Sequence, residues 1–218
     1  MLSMPIVDYV TSLYPSLSLN NTLVIGCQHI LSTTHSMLRS LYPLGLSPQN
    51  VFLLGKCYSS NQSVWQEMLS EGINVSPLSF FFKQDLSFDT QFSKITLQFL
   101  EDALNSLNLS VFDKIIIIDD GGQLIEISTT LMLDHRKIVG IEQTSSGYEK
   151  IKNKHLQFPV INVARSEAKL LYESPFISEI VIEKALKRIA RLNMDLRQVL
   201  IIGNGVIGSS IYTRIKHD

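Results

Sequence analysis

The sequence lacks the long hydrophobic runs of a membrane protein and the leader of a secreted one. Its longest aliphatic runs, such as Ile115 to Ile118, are far shorter than the roughly 20 apolar residues that a membrane-spanning helix needs. The N-terminus has neither a basic region nor a long apolar stretch before a small-residue cleavage site. We therefore expect a cytoplasmic protein that has no membrane partner.

Excess positive charge is also missing, and cysteine is scarce. The net charge is −1 over 218 residues, so no large positive field attracts nucleic acid, and we expect no nucleic-acid partner. Cys27 and Cys57 could form at most one disulfide, and reduced thiols are the expected state. No metal-ligand set is predicted. The apolar and charged fractions, 45% and 18%, are those of an ordinary globular protein.

Short apolar runs alternate with longer stretches of helical period. This pattern is typical of βαβ units and of a mostly parallel sheet. Seven strands are predicted, at Thr22–Cys27, Val51–Gly55, Ile73–Val75, Lys114–Asp119, Lys137–Glu142, Val160–Val163 and Val199–Gly203. Nearly all are apolar on both faces, as strands covered by helices on both sides must be. The fold class is therefore predicted to be α/β, a Rossmann-like three-layer sandwich with a mostly parallel sheet.

Helical period occurs in four stretches between these strands. They are His29–Tyr42, Val64–Glu71, Asp89–Leu107 and Glu179–Leu192. In the third, one apolar stripe indicates a core-facing side; it consists of Phe92, Ile95, Phe99, Ala103 and Leu107. A domain boundary is predicted at roughly 193–197, where a long helix ends and a new strand begins, giving domains over 1–192 and 196–218.

Polar residues follow several predicted strands. Ligands bind at the carboxyl ends of parallel strands, and the segments in question are Gly26–His29, Asp119–Gly122, Glu142–Gly147 and, after the sixth strand, Asn162 and Lys169. Each has a structural alternative. The histidine could serve a helix terminus, the two aspartates could be helix N-terminal acids, and the lysine could be a solvated surface residue. The hydroxyl-rich Thr144, Ser145 and Ser146 suit a ribose or phosphate, and equally a helix N-cap.

A glycine motif follows the last predicted strand. Gly203, Gly205 and Gly208 form GxGxxG between a strand and a helical stretch, which is the context of a dinucleotide fingerprint. The acidic residue that binds the ribose lies about 20 residues further on, beyond Asp218. We therefore expect that these residues alone do not form a self-sufficient nicotinamide site.

Taken in order, these segments resemble adenosylhomocysteinase, which reversibly splits S-adenosylhomocysteine into adenosine and homocysteine with bound NAD. The matching segments are GCQH at 26–29, DDGGQL at 119–124, GIEQTSSG at 140–147, FPVINVARSEAK at 158–169, the helical stretch near 176–190, and IIGNGVIG at 201–208. The resemblance implies a substrate-binding domain over 1–192. It also implies the start of an NAD-binding domain over 196–218, and an oligomer in which subunits exchange an arm.

The resemblance also implies roles for individual residues. His29 matches the histidine that assists the leaving thiol and incoming water, Asp120 the acid near the 4′ position, and Lys169 the lysine at the 3′-hydroxyl. The implied substrate-binding residues are Gln143, Glu173 and Asp119, and the implied NAD-binding residues are Thr144, Ser145, Ser146, Gly203, Gly205 and Gly208.

Some positions depart from the family pattern. Gln143 replaces a ribose-binding glutamate and loses its charge, and Glu173 with Ser174 replaces an Asp-Asn pair. A family cysteine is Ser178 here, a family asparagine is Cys57, and the polar residue two after the histidine is Leu31. Such changes preserve a pocket better than a reaction, since misplacement by about 1 Å can cost on the order of 10²-fold in rate.

Three hypotheses follow. The first is an adenosylhomocysteinase-like substrate domain that holds an adenosine-type ligand without hydrolysing it alone. The second is an NAD-dependent enzyme acting on a nucleoside thioether or related substrate within a longer protein. The third is a non-catalytic interaction protein with a vestigial pocket, in which the last βα unit packs as an edge strand or mediates self-association.

Overall fold

The chain forms two compact units. A computed structural model describes residues 4–130, 134–193 and 198–217. One unit extends to Asn162 and the other begins at Val163. The predicted boundary at 193–197 lies further along the chain, and residues 194–197 of it lie outside the described residues.

The first unit is built on a six-stranded, all-parallel sheet. Its strands are Thr22–Gln28 (β1), Val51–Gly55 (β2), Asn74–Val75 (β3), Lys114–Asp119 (β4), Ile138–Glu142 (β5) and Val160–Asn162 (β6). Each lies within one residue of its predicted bounds, so the parallel α/β prediction is confirmed. The strand order is β3-β2-β1-β4-β5-β6. The chain winds outward from β1 to β3 and then returns to place β4 on the other side of β1, which creates a topological switch point between β1 and β4.

Helices cover both faces of this sheet. The first helix, Pro5–Ser12 (α1), has no buried residue. The covering helices are Ser32–Arg39 (α2), Gln62–Ser70 (α3), Phe88–Asn105 (α4), Gln123–Ser128 (α5) and Ser145–Ile151 (α6). Successive residues of a strand point to opposite faces, so Leu23 and Ile25 join a core cluster with α4, α5 and α6. Val24 joins the other cluster, with α2 and α3. Apolar side chains on both faces of β1 therefore hold the layers together.

The helix α4 confirms the predicted apolar stripe. Its N-cap Ser87 accepts a hydrogen bond from the backbone N–H of Thr90 at 3.3 Å. Phe92, Ile95, Phe99 and Ala103 are buried, and Leu107 packs against the same cluster. Complete burial of a large apolar side chain contributes roughly 1.5–3 kcal/mol, so this helix is a principal support of β1 and β4.

The second unit is helical in its described residues. A π-helical segment, Ala168–Glu173, leads directly into Ser174–Arg191 (α7), and Val206–His217 forms α8. The Arg214 guanidinium of α8 lies 3.3 Å from the carboxylate of Glu179 on α7. No helix among the described residues is long and apolar enough to cross a bilayer.

The seventh predicted strand, Val199–Gly203, is wrong. These residues have no strand pairing, and Leu200 and Ile202 are 84% and 92% exposed. An isolated strand is not stable because its backbone groups need a neighbouring strand, and the described part of this unit supplies none. Of the predicted second βα unit, the turn and the helix are therefore present without the paired strand.

Candidate functional site

Four strands around the switch point are each followed directly by a polar side chain. His29 follows β1, Lys56 follows β2, Asp120 follows β4 and Gln143 follows β5. Because the strands are parallel, their carboxyl ends share one edge of the sheet. The backbone N–H of Asp120 donates to the carbonyl of Cys27 at 3.1 Å, which continues the β1–β4 ladder. The structure thus brings His29 and Asp120 together at the switch point.

Asp120 has a partner at each carboxylate oxygen. Its Oδ2 lies 3.3 Å from Nε2 of His29, and its Oδ1 accepts a hydrogen bond from Nζ of Lys56. Burial alone would raise the pKa of Asp120, but the hydrogen bonds from His29 and Lys56 and the charge of Lys56 outweigh it and lower this pKa to about 2. Asp120 is therefore an ionised hydrogen-bond acceptor at neutral pH.

Lys56 is the site residue that the sequence reasoning missed. It is only 7% exposed, which is rare for a lysine without a partner. Burial lowers the pKa of Lys56, but Asp120 and Tyr58 outweigh burial, so this pKa is raised and the ammonium stays charged. The signal that could have found Lys56 is its position, directly after the strand next to β1.

His29 lies between Asp120 and a serine. Its Nδ1 is hydrogen-bonded to Oγ of Ser59, which lies on the short 3-10 turn Cys57–Ser59 after β2. The ring of Tyr58 on the same turn lies edge-on to His29, with 6.1 Å between ring centroids, and Tyr58 is 65% exposed. We call His29, Lys56, Tyr58, Ser59 and Asp120 the switch-point cluster.

Asp119, predicted as a substrate-binding residue, is completely buried. Its Oδ2 accepts the backbone N–H of Ile125 at 2.9 Å, in the first turn of α5. This contact matches the alternative that the acid serves a helix N-terminus. Burial, with the nearby charge of Glu142, raises the pKa of Asp119 to about 7. Among the described residues, Oδ1 of Asp119 and Oε2 of Glu142 are buried without a hydrogen-bond partner.

The hydroxyl-rich segment after β5 begins a helix. Thr144 is the N-cap of α6, and its Oγ1 accepts the backbone N–H of Gly147 at 3.0 Å. The same hydroxyl donates to Oε1 of Glu142 at 2.7 Å, and Thr144 N–H donates to that oxygen at 2.7 Å. Ser145 and Ser146 are exposed on the first turn. Thr144 is therefore a helix N-cap, which is the structural alternative considered for this segment.

Gln143 is half-buried at the end of β5. Its backbone N–H donates to the carbonyl of Asp119 at 3.0 Å. The residue thus begins the loop after β5 at the edge of the sheet where β4 ends.

Lys169 and Glu173 lie in the second unit. Both are on the π-helical segment, and Nζ of Lys169 is 3.4 Å from Oε2 of Glu173. Each predicted catalytic residue therefore contacts another predicted site residue through its side chain. His29 pairs with Asp120 in the first unit, and Lys169 pairs with Glu173 in the second.

The glycine turn before α8 has one glycine with a positive φ and another in close contact with the backbone. Gly203 has a φ of 116°, in the left-handed region that favours glycine. A Cβ at Gly208 would overlap the carbonyl of Gly203, whereas one at Gly205 would meet nothing within 4 Å. A tight turn, close packing at the third glycine and open space at the second are what a pyrophosphate requires.

A cavity of about 710 Å³ lies away from the switch-point cluster. It is lined by Met4, Asp8, Thr11, Ser12, Pro15, Ser36, Arg39, Ser40, Pro43 and Leu44. These residues come from α1 with its N-cap Met4, from the C-terminal half of α2, and from the segment after each helix. None of them belongs to the switch-point cluster, where the converging charged and polar groups lie, so chemistry is better sought at the cluster than in this cavity.

No family model matches this chain. The chain is similar to two Mycobacterium tuberculosis proteins, "Uncharacterized protein MT0113" of strain CDC 1551 / Oshkosh and "Uncharacterized protein Rv0104" of strain ATCC 25618 / H37Rv. Each is 41% identical over 194 residues, which are 89% of this chain and 38% of the relative. The chain therefore spans less than half the length of the curated relatives it matches.

Proposed function

We propose that the switch-point cluster binds an adenosine-type ligand, and that this chain is the substrate-binding part of an adenosylhomocysteinase-like protein. The observation that carries the proposal is the strand order, because it sets His29 and Asp120 beside each other where ligands of open α/β sheets bind. The order of the matching sequence motifs adds support.

The cluster has the groups that a nucleoside needs. Ionised Asp120 accepts hydrogen bonds from sugar hydroxyls, and Lys56 beside it donates them. Tyr58 is exposed next to His29 and offers an aromatic face for a base. The side-chain amide of Gln143, at the neighbouring strand end, can both donate and accept.

The same geometry favours binding of an adenosine-type ligand over hydrolysis of its thioether in this chain. A carboxylate with a pKa of about 2 is a weak base at neutral pH, because effective proton transfer needs a pKa near the working pH. Gln143 carries no charge where the resembled family has a glutamate. We therefore propose that the ligand is held without turnover by this chain alone.

The second candidate function is that of an NAD-dependent enzyme within a longer protein. It is favoured by the fit of the Gly203–Gly208 turn to a pyrophosphate and by the greater length of the relatives. NAD, when bound, would supply an acceptor for the hydride of the carbon that bears a sugar hydroxyl. Gly203 and Gly205 would hold its phosphates, while Lys169 would act at the 3′-hydroxyl as the resemblance implies.

Calorimetry tests the proposal. Adenosine, S-adenosylhomocysteine and NAD are titrated separately into the protein and into its Asp120→Asn variant. We expect adenosine to bind and Asp120→Asn to weaken it by about tenfold or more, since a hydrogen bond to a charged group contributes roughly 1.5–3 kcal/mol. Asp134→Asn is the control, because Asp134 lies on the turn before β5 and pairs with Arg136.

Each result points to one hypothesis. Adenosine binding that Asp120→Asn leaves unchanged would place the ligand elsewhere and overturn the proposal. Binding of NAD would favour the NAD-dependent enzyme. No heat with any of the three ligands would overturn both and favour an interaction protein with a vestigial pocket.

A further inference from the structure

Three side chains of the switch-point cluster lie in one row, with His29 between Asp120 and Ser59. Oδ2 of Asp120 meets Nε2 of His29 at 3.3 Å, and Nδ1 of His29 meets Oγ of Ser59. We propose that Ser59 is a nucleophile, with His29 as its general base and Asp120 as the group that orients His29, and that the site takes a carboxylic ester. Acid, imidazole and hydroxyl in this order are recognised by geometry and role, whichever ring nitrogen faces the hydroxyl.

Asp120 fixes the tautomer of His29 that the row requires. As an ionised carboxylate it can only accept, so Nε2 of His29 carries the proton. In the neutral imidazole, Nδ1 then has no proton and can accept one from the hydroxyl of Ser59. When His29 becomes an imidazolium, the negative charge of Asp120 stabilises it.

Lys56 strengthens this arrangement through Asp120. Its ammonium binds Oδ1 of Asp120, which leaves Oδ2 for His29. A carboxylate with one oxygen tied in this way cannot rotate freely, so the ring of His29 is held in one orientation. Lys56 is therefore a positioning residue in this proposal.

Ser59 is the last member of the row, on the other side of His29 from Asp120. Both ring nitrogens of His29 have protein partners, so a ligand meets the histidine through the hydroxyl. Ser59 itself is half-buried, and its second contact is a long one, 3.4 Å from Oγ to the carbonyl of Lys56. The contact with His29 is therefore the closer of the two, and it sets the position of the hydroxyl.

Apart from the protein, the reaction needs only the ester and water. Oγ of Ser59 forms a bond to the ester carbonyl carbon while its proton moves to Nδ1 of His29. The bond from that carbon to the alkoxy oxygen breaks, and the alcohol leaves with the proton from His29. Water then attacks the acyl-Ser59, its proton returns through His29, and the acid leaves with Ser59 restored.

A fluorophosphonate probe tests the proposal on the full chain. Ser59 attacks phosphorus, the Oγ–P bond forms, and the P–F bond breaks to release fluoride while His29 takes the proton. We expect one adduct by intact mass, located on Ser59 by peptide mapping. Ser59→Ala should abolish labelling, and His29→Gln should slow it by about 10²-fold or more.

Ser60→Ala is the matched control. Ser60 is the next residue, and its hydroxyl donates to the carbonyl of Lys56 at 3.0 Å and has no described bond to His29. This variant should be labelled at the wild-type rate. A burst of one equivalent of 4-nitrophenol from 4-nitrophenyl acetate, lost in Ser59→Ala and kept in Ser60→Ala, is the second expected result.

Absence of an adduct on the wild-type protein, or an adduct mapped to any residue other than Ser59, would overturn the proposal. Equal labelling of His29→Gln would do the same. If Ser59→Ala does not fold, mapping of the wild-type adduct decides the question by itself. The proposal does not depend on adenosine binding, because labelling and calorimetry are separate measurements on the same protein.

Discussion

At the scale of single residues, the two adjacent acids at the end of β4 have opposite surroundings. Asp119 is buried against α5 and Glu142, while Asp120 meets Lys56 and His29. Burial raises the pKa of Asp119 even though Lys56 and backbone hydrogen bonds lower it, whereas hydrogen bonds and the charge of Lys56 outweigh burial and lower the pKa of Asp120. Asp119 therefore contacts the N-terminal turn of a helix, and Asp120 belongs to the switch-point cluster.

The raised pKa of Asp119 predicts a pH dependence of stability. Its pKa is about 7 in the folded protein and near 3.8 when unfolded, so the folded state holds a proton that the unfolded state releases. The contribution of Asp119 to the free energy of unfolding is therefore complete below about pH 4 and falls as the pH rises to about 7. Asp119→Asn cannot ionise and keeps an oxygen for Ile125 N–H.

Urea denaturation of both proteins at several pH values checks this. The stability of Asp119→Asn relative to wild type should increase from pH 4 to pH 7, by on the order of a few kcal/mol. Taking the difference cancels the other titrating groups, including Asp120, whose own contribution is lost as the pH falls from about 4 to 2. A difference independent of pH would show that Asp119 is ionised throughout.

The sequence predicts part of this residue-level picture. His29 and Asp120 follow apolar runs, and that position alone predicts a place at the ligand-binding edge. The different surroundings of Asp119 and Asp120 were not predictable, because they depend on which of the two side chains points into the protein interior. Lys56 was missed because its place in the site depends on its contact with Asp120, which is 64 residues away in sequence.

At the scale of elements, the N-cap of α6 ties a helix to the end of β5. Thr144 accepts from Gly147 and donates to the buried Glu142. Replacing it with alanine removes a cap and one hydrogen bond of a buried carboxylate. We expect Thr144→Ala to lower the free energy of unfolding by about 1–2 kcal/mol.

Chemical denaturation of Thr144→Ala and of Ser145→Ala measures this effect. Ser145 is exposed on the first turn of the same helix and should change stability by less than about 0.5 kcal/mol. Equal losses in both variants would contradict a capping role for Thr144. NAD binding lost only in Thr144→Ala, with unchanged stability, would favour the implied cofactor role.

Element prediction succeeded where the pattern was long or apolar on both faces. Most of the strands and α4 are of that kind. The helices α5 and α6 were not predicted, since they have 6 and 7 residues and too few turns to display a period. The helix α1, with 8 residues, was not predicted either, although α2 of the same length lies in a predicted stretch. The apolar run Val199–Gly203 has the composition of a strand, but composition does not supply the neighbouring strand that pairing requires.

At the scale of the whole molecule, the strand order of the sheet brings residues that are distant in sequence into one candidate site. Alternating strands and helices predicted a parallel sheet, yet several orders satisfy that pattern. The order found sets β1 between β2 and β4, so residues 29, 56 and 120 meet. Sequence alone could not predict this convergence, because it follows from the direction in which the chain returns after β3.

The two units also differ in how much apolar surface they bury, and this predicts where substitutions cost stability. Leu54 is completely buried in β2, whereas Ile202 is 92% exposed in the second unit. Leu54→Ala should lower the free energy of unfolding by about 2–5 kcal/mol, while Ile202→Ser should change it by less than about 0.5 kcal/mol. Urea denaturation followed by circular dichroism measures both. A large loss for Ile202→Ser would mean that residues 199–203 are packed in solution, as the strand predicted from their sequence would be.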